Sequence, residues 1–161
     1  MIKAVIYHSN SGFTKQYALM FSKNLKVPCY DIKSVPKNLK KENVVFLGNV
    51  FDGIIEGYTK ASKKYNLVYT VAVGLNEPSE KTINNLKEIN KIKGEFYYLK
   101  GGFDISKLSK FKQLTVNAYN IMYGKKQVTK EKQEVFNYFK TRITFVSEKK
   151  VKAIIKEHEK R

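Results

Sequence analysis

Three hydroxyl side chains, Ser9, Ser11 and Thr14, are grouped with Asn10, Gly12 and Phe13 in one short stretch, and this grouping suits the binding of an anion. Hydroxyls donate hydrogen bonds without carrying charge, and a glycine lets backbone N–H groups come close to a ligand. Before the stretch stands an apolar run, Ala4-Val5-Ile6-Tyr7. After it comes Thr14-Lys15-Gln16-Tyr17-Ala18-Leu19-Met20-Phe21, whose apolar residues recur at helical spacing. A strand, a tight loop and a helix start make a phosphate site, because the first helical N–H groups lack partners and the helix dipole favours an anion there. The loop holds no lysine or arginine, and Lys15 stands just outside it, so neutral hydroxyl and backbone donors must do the anchoring. The blander reading of such a turn is a helix cap.

The elements that would position this loop alternate along most of the chain. A strand is expected over 2–8, a helix over 14–25 and a short strand over 28–32. A polar stretch with Pro36 follows, holding only a short helix or turn over 33–43. Val44-Val45-Phe46-Leu47-Gly48 is β-branched and aromatic with no charge, as a buried strand requires. Residues 54–65 are expected to be helical despite Gly57. Residues 67–74 form another central strand, and Pro78 and Ser79 start a helix with Ile83, Leu86, Ile89 and Ile92 as its apolar stripe. Glu95–Lys100 is the fifth strand, closed by Gly101 and Gly102. Five strands joined by helical crossovers imply an α/β fold, a parallel sheet covered on both faces.

The last third breaks the alternation. Phe111, Leu114, Ala118, Ile121 and Met122 follow helical spacing, as do Val135, Phe136 and Phe139, with a polar link over 124–132. A third stripe, Val151, Ile154 and Ile155, follows Ser147 as N-cap. The first stripe reads as core, although Lys107, Lys110 and Lys112 beside Leu108, Phe111 and Leu114 also suit a membrane-surface helix. With 161 residues and no repeat or linker, the chain reads as one domain over 1–161.

In open α/β sheets ligands bind outside the carboxyl ends of the strands. Besides Ser9–Thr14, two further loops are expected there: Asn49-Val50-Phe51-Asp52-Gly53 after Gly48, and Gly74-Leu75-Asn76-Glu77. Phe51 and Leu75 offer apolar surface, while Asn49 and Asn76 offer hydrogen bonds. A phosphate loop with two glycine-bearing loops suits a flat phosphorylated cofactor. Each of the two loops also reads as an ordinary strand–helix connection.

Hydrophobic residues make up 42% of the chain and charged residues 28%, a globular balance. No apolar run is long enough to span a bilayer, and the start of the sequence lacks a signal-peptide layout; a cytoplasmic protein is expected. Cys29, the one cysteine, excludes an intrachain disulfide and a cysteine-based metal cluster, and reads as a small core residue. No metal is expected. His8, at the end of the first strand, reads as a structural residue able to tune protonation, and His158 as solvated. The formal net charge is +17, almost all from lysine, with Arg142 and Arg161 the only arginines. It reads as a solvated lysine surface or as a draw for an anionic partner. The lysines scatter along the chain and arginine, the better reader of phosphates and guanine edges, is scarce; nucleic acid is not expected.

Ser9-Asn10-Ser11-Gly12-Phe13-Thr14 resembles the Ser/Thr-x-Ser/Thr-Gly-x-Thr phosphate loop of flavodoxins, and the order of elements to about residue 104 is similar to that family. Phe96-Tyr97-Tyr98-Leu99-Lys100-Gly101-Gly102-Phe103-Asp104, followed by Ser106-Lys107-Leu108, looks like the small bacterial flavodoxin-domain proteins, which are similar to menaquinone-dependent protoporphyrinogen dehydrogenases. The resemblance implies a flavodoxin-like three-layer α/β/α fold with strand order 2-1-3-4-5 and extra C-terminal helices. It further implies an FMN cofactor, its phosphate on Ser9–Thr14 and its ring between Asn49–Gly53 and Gly74–Glu77. With no tryptophan in the chain, Phe51 or Tyr58 would take the stacking position. The expected role is electron transfer as a flavoprotein. The alternatives are a peripheral dehydrogenase of the protoporphyrinogen/quinone type at the inner membrane face, and a flavodoxin-fold binding module without FMN. An acidic redox protein, a porphyrin, a quinone or an anionic membrane would be its partner, and a monomer is the simplest state. No side chain stands out as a catalytic acid or base.

Two other chemistries on this architecture are excluded. A phosphoacceptor receiver domain needs paired acids after the first strand, where Ser9 and Asn10 stand, and so could not hold magnesium well. A low-molecular-weight phosphatase needs a Cys-x5-Arg loop at the same place, and none is present.

Overall fold

The charge-free runs of the sequence become the centre of one parallel sheet. The computed structural model describes residues 1–107, 110, 113, 114, 116–118, 130 and 142–160. Its strands are β1 (Ala4–His8), β2 (Cys29–Asp31), β3 (Asn43–Phe51), β4 (Ile54–Ile55), β5 (Asn66–Gly74), β6 (Glu95–Lys100), β7 (Gly102–Phe103) and β8 (Ile143–Thr144). The helices are α1 (Phe13–Leu25), α2 (Tyr58–Lys64), α3 (Glu80–Ile89) and α4 (Glu148–Glu159), with a 3₁₀ turn at Lys37–Leu39 and another at Ile105–Lys107. The parallel strands lie in the order β2-β1-β3-β5-β6. Counted among parallel strands alone this is 2-1-3-4-5, the order of flavodoxin-like doubly wound sheets.

Strand alternation divides the core in two. Ala4, Ile6, Val44, Phe46 and Ala72 face α2 and α3, packing with Tyr58, Ala61, Tyr65 and Leu86. Val5, Tyr7, Val45, Leu47 and Val71 face α1 and α4, packing with Tyr17, Ala18, Phe21, Val151 and Ile154. Tyr17 and Phe21 are fully buried, and burial of such large side chains stabilises by about 1.5–3 kcal/mol each. Ser79 caps α3 as expected, its Oγ accepting from the Thr82 N–H at 3.1 Å. Ser147 stands at the N-cap of α4 but makes no side-chain capping bond.

Three local expectations change. β3 does not end at Gly48 but runs on to Phe51, and β4 pairs back on it antiparallel, Val50 opposite Ile55 and Phe51 opposite Ile54. The two turn residues, Asp52 (φ 48°) and Gly53 (φ 75°), both have positive φ, as a tight hairpin turn requires. The helix expected over 54–65 therefore begins only at Tyr58, after Gly57. The hairpin folds back over the sheet face, where Ile55 is buried against β3. Gly48 makes room for it, since a Cβ there would lie 2.8 Å from the Glu56 carbonyl oxygen and 3.0 Å from the Phe46 ring.

Ile89, expected on the buried stripe of α3, is 54% exposed. His158 is not solvated: its Nδ1 lies 2.7 Å from Glu95 Oε2. Cys29 is half-buried on β2, and burial pushes its thiol up to about 11 against a small opposing effect of Lys15. At the end of β6 a small β7–β8 ribbon forms, unforeseen from the sequence, with Phe103 opposite Ile143. Of the stripe Phe111, Leu114, Ala118, Ile121 and Met122, expected in the core, the two described members Leu114 and Ala118 are exposed, and Val116, off the stripe, is buried instead. Phe111, Ile121 and Met122, the stripe Val135, Phe136 and Phe139, and nearly all of the 124–132 link lie outside the described residues.

Candidate functional site

The loop 9–12 joins the carboxyl end of β1 to α1, with Gly12 in the left-handed region (φ 90°) as the helix N-cap. Positive φ there suits glycine, and a Cβ on Gly12 would meet nothing within 4 Å, so the loop opens outward. The Gly12 N–H donates to Ser9 Oγ at 3.1 Å, which tightens the turn from within. The first intrahelical bond is Gln16 N–H to Gly12 O at 3.0 Å. The N–H groups of Phe13, Thr14 and Lys15 precede it and have no acceptor inside the helix. Ser11 and Asn10 are half-buried, Thr14 is buried and Lys15 is exposed. Phe13 turns inward: a Cβ on Gly102 would come within 2.6 Å of its ring, so only its backbone N–H can serve a ligand.

Beside the loop lies a polar chain that sequence reasoning missed. Asn10 Nδ2 donates to Glu56 Oε2. Asn49 Nδ2 donates to the same oxygen at 2.6 Å, and Asn49 Oδ1 lies 2.9 Å from His8 Nδ1. With its amide nitrogen committed to Glu56, Asn49 presents its oxygen to His8, so the proton of a neutral His8 sits on Nδ1 and Nε2 is left as an acceptor. The backbone supports the chain, for Glu56 N–H donates to Asn49 O at 3.0 Å. Glu56 carries no motif, and the expected helix over 54–65 hid its place at the end of a hairpin arm.

The two other expected loops are held differently. Of Asn49–Gly53, only Asn49 joins the phosphate loop through shared hydrogen bonding. Val50 packs on the core, Phe51 is half-buried in β3 and Asp52 is exposed at the turn. Gly53 O accepts from Asn90 Nδ2 at 2.9 Å, and Asn90 Oδ1 accepts from Ile55 N–H at 2.8 Å, tying the turn to the end of α3. Gly74–Glu77 leaves β5 and is fastened to β6. Asn76 O accepts from the Tyr98 hydroxyl at 2.9 Å, and Glu77 pairs with Lys100. Burial holds the Tyr98 hydroxyl above its ordinary pKa, although the Asn76 bond opposes this. Gly74 is buried, Leu75 half-buried, and Asn76 and Glu77 are exposed. Lys100 also stands 4.2 Å from the centre of the Phe145 ring.

The strand-end region is closed by long-range bonds. The Tyr17 hydroxyl donates to Lys100 O at 2.7 Å, and Phe145 N–H donates to Gly101 O at 2.7 Å. Asp104 accepts from Ser106, which holds its carboxyl below the ordinary range, helped by Arg142 and Lys107. Two surface grooves lie away from the phosphate loop: one of about 690 Å³ along β6, and one of about 460 Å³ lined by α2 and the end of α3. Among the described residues no group of three or more His, Cys, Asp and Glu could hold a metal ion. Nor is any described helix long and apolar enough to cross a membrane.

No protein-family model matches the chain, and no curated protein matches it either. Among solved structures it is similar to one described as "Structure of a flavodoxin from the domain Archaea". That similarity has a TM-score of 0.40 and 18% identity, over 62% of this chain and 85% of the other. The fold assignment rests on the strand order and crossovers of this chain itself.

Proposed function

We propose that this chain binds FMN at the carboxyl end of its sheet and transfers electrons through it in the cytoplasm. One observation carries the reading: a left-handed glycine opens α1 outward, leaving three helical N–H groups without helical acceptors in a stretch that carries Ser9, Ser11 and Thr14. That donor set is neutral, open and directed at an anion, as a phosphate monoester requires. The phosphate end therefore fits. Ser9, Asn10, Ser11, Gly12 and Thr14, with the backbone of Phe13, would hold the phosphate. Asn49–Phe51 and Gly74–Glu77 would border the ring, with Asp52 and Gly53 drawn back toward α3.

Bound flavin supplies one- and two-electron chemistry, which the protein tunes through its surroundings. The chain's own residues bind and orient. A neutral His8 would carry its proton on Nδ1, toward Asn49, and present Nε2 as an acceptor. The purified protein should be yellow, with flavin absorption bands that trichloroacetic acid releases as free FMN. A colourless protein that takes up no added FMN overturns the proposal.

One observation favours a second reading, a flavodoxin-fold binding module without FMN. Glu56 places a carboxylate on Asn10, inside the phosphate loop, where it opposes a second anion. Glu56→Gln separates the two readings. It restores FMN binding if the carboxylate excludes the phosphate, and changes it little if the wild-type loop already binds.

A further inference from the structure

Eight of the lysines that scatter along the sequence meet at one edge of the fold. In a parallel sheet every strand begins at the same edge, and each of the five is entered past lysine: Lys26 before β2, Lys3 before β1, Lys40 and Lys41 before β3, Lys63 and Lys64 before β5, Lys91 and Lys93 before β6. At about 4.8 Å per strand this row is about 19 Å long. Backbone bonds tie neighbouring stations together, Lys3 N–H to Asn43 O at 2.8 Å and Lys41 N–H to Lys64 O at 2.9 Å. Seven of the eight side chains are exposed; Lys64, half-buried, lies 5.3 Å from the centre of the Tyr65 ring. None of the eight forms an ion pair with a described residue.

Backbone strain marks the row as well. Lys26, Lys41 and Lys91 have φ of 56°, 66° and 51°, and among the described residues Asp52 is the only other non-glycine with positive φ. Lys26 and Lys91 close α1 and α3 with 6→1 bonds, Val27 N–H to Ser22 O at 3.2 Å and Ile92 N–H to Lys87 O at 2.9 Å. Glycine is the usual residue at such helix ends, because a Cβ is strained there. Charge is held at this edge against a conformational preference, in three turns far apart in sequence. Between the entries to β5 and β6 lies the groove of about 460 Å³, lined by Lys91, Lys93, Ser62, Asn66 and Tyr65. Tyr65 is 5% exposed and its hydroxyl has no hydrogen-bond partner.

We propose that this edge is the docking face for an acidic partner protein, with the groove seating one of the partner's carboxylates. Lysine ammonium groups are donors suited to a carboxylate. The row is patterned, with Glu42 and Glu95 set among the lysines and Glu157 and Glu159 beside Lys156 and Lys160 on α4. Fixed alternation of this kind selects a partner with fixed charges rather than a fluid lipid surface. The row has no arginine fork, and its aromatics, Tyr58 and Tyr65, are buried, so it offers no ring on which a nucleic-acid base could stack. The edge is opposite the phosphate loop, about 20 Å away over the six steps of β1 from Lys3 to Ser9. The inference is therefore independent of FMN.

The test uses a fluorescein-labelled oligoglutamate peptide, followed by anisotropy at low salt. In the edge variant Lys40→Glu/Lys63→Glu/Lys93→Glu, affinity should fall at least about tenfold, and the neutral version with Gln at the same positions should lose affinity in the same direction. A control variant, Lys33→Glu/Lys81→Glu/Lys149→Glu, makes the same charge change at the other end and should lose less than about threefold. Equal losses in edge and control variants would overturn the proposal, as would tighter binding of oligo-dT or phosphatidylserine vesicles than of oligoglutamate at the same ionic strength.

Discussion

The two ends of this sheet use left-handed backbone for opposite purposes. At the carboxyl end Gly12 and Gly57 have positive φ and present no side chain, leaving backbone and small polar groups around the strand ends. At the amino end Lys26, Lys41 and Lys91 take the same backbone region while carrying long cations, with one glycine, Gly94, among them. Glycine at the first end gives access, and lysine at the second retains charge despite strain. Eight lysines thus lie at the edge away from the candidate anion site, where Lys15 is the nearest cation in sequence. On the reading proposed above, the lysine edge bears on partners, while the candidate anion site offers neutral donors.

The largest expected effect breaks one end and spares the other. Ser11→Glu places a carboxylate among the helical N–H groups and should weaken FMN binding by about a hundredfold or more through repulsion and lost donors. The edge variant Lys40→Glu/Lys63→Glu/Lys93→Glu should leave FMN affinity within about twofold, because the charges are screened over that distance. Next in size is Gly48→Ala. Its Cβ would meet Ile55 and the Glu56 carbonyl, so the variant should lose about 1–3 kcal/mol in urea denaturation and displace Glu56 from Asn49 and Asn10.

Relief of strain gives a smaller and opposite effect. Replacing Lys26, Lys41 or Lys91 with glycine should stabilise the protein by about 0.5–1 kcal/mol per site while weakening oligoglutamate binding. A loss of stability at all three would refute the role assigned to their backbone. Two of the buried tyrosines provide the finest comparison. Tyr98→Phe removes the bond to Asn76 at the carboxyl end and should cost about 0.5–1.5 kcal/mol. Tyr69→Phe removes a buried hydroxyl that has no partner and should cost nothing. Burial holds both hydroxyls above the ordinary 10.0 of tyrosine. The unfolded chain then releases these protons first as pH rises, so stability is full below pH 9 and declines through the alkaline range. Either substitution should flatten that decline in Tm.

What was legible in the sequence was contiguous. Ser9–Thr14, its strand and its helix occupy one stretch, and the uncharged runs at Val44–Leu47 and Leu67–Gly74 announce central strands. The hairpin was misread because Ile54, Ile55, Tyr58 and Ala61 mimic helical spacing, although Asp52-Gly53 between Val50-Phe51 and Ile54-Ile55 is a strong hairpin signal. The β7–β8 ribbon pairs two-residue strands about forty positions apart, too short to show a period. Glu56 and the lysine edge were invisible for one reason: their neighbours are set by parallel crossovers, not by nearness in sequence.

The most direct measurement is a fluorescence titration of the apoprotein with FMN and, in parallel, with riboflavin, which lacks the phosphate. The account predicts saturable quenching of FMN at micromolar or lower concentration. It also predicts an affinity at least about tenfold above that of riboflavin, an advantage that Ser11→Glu removes. Equal affinity for the two flavins, or no quenching by either, would contradict it.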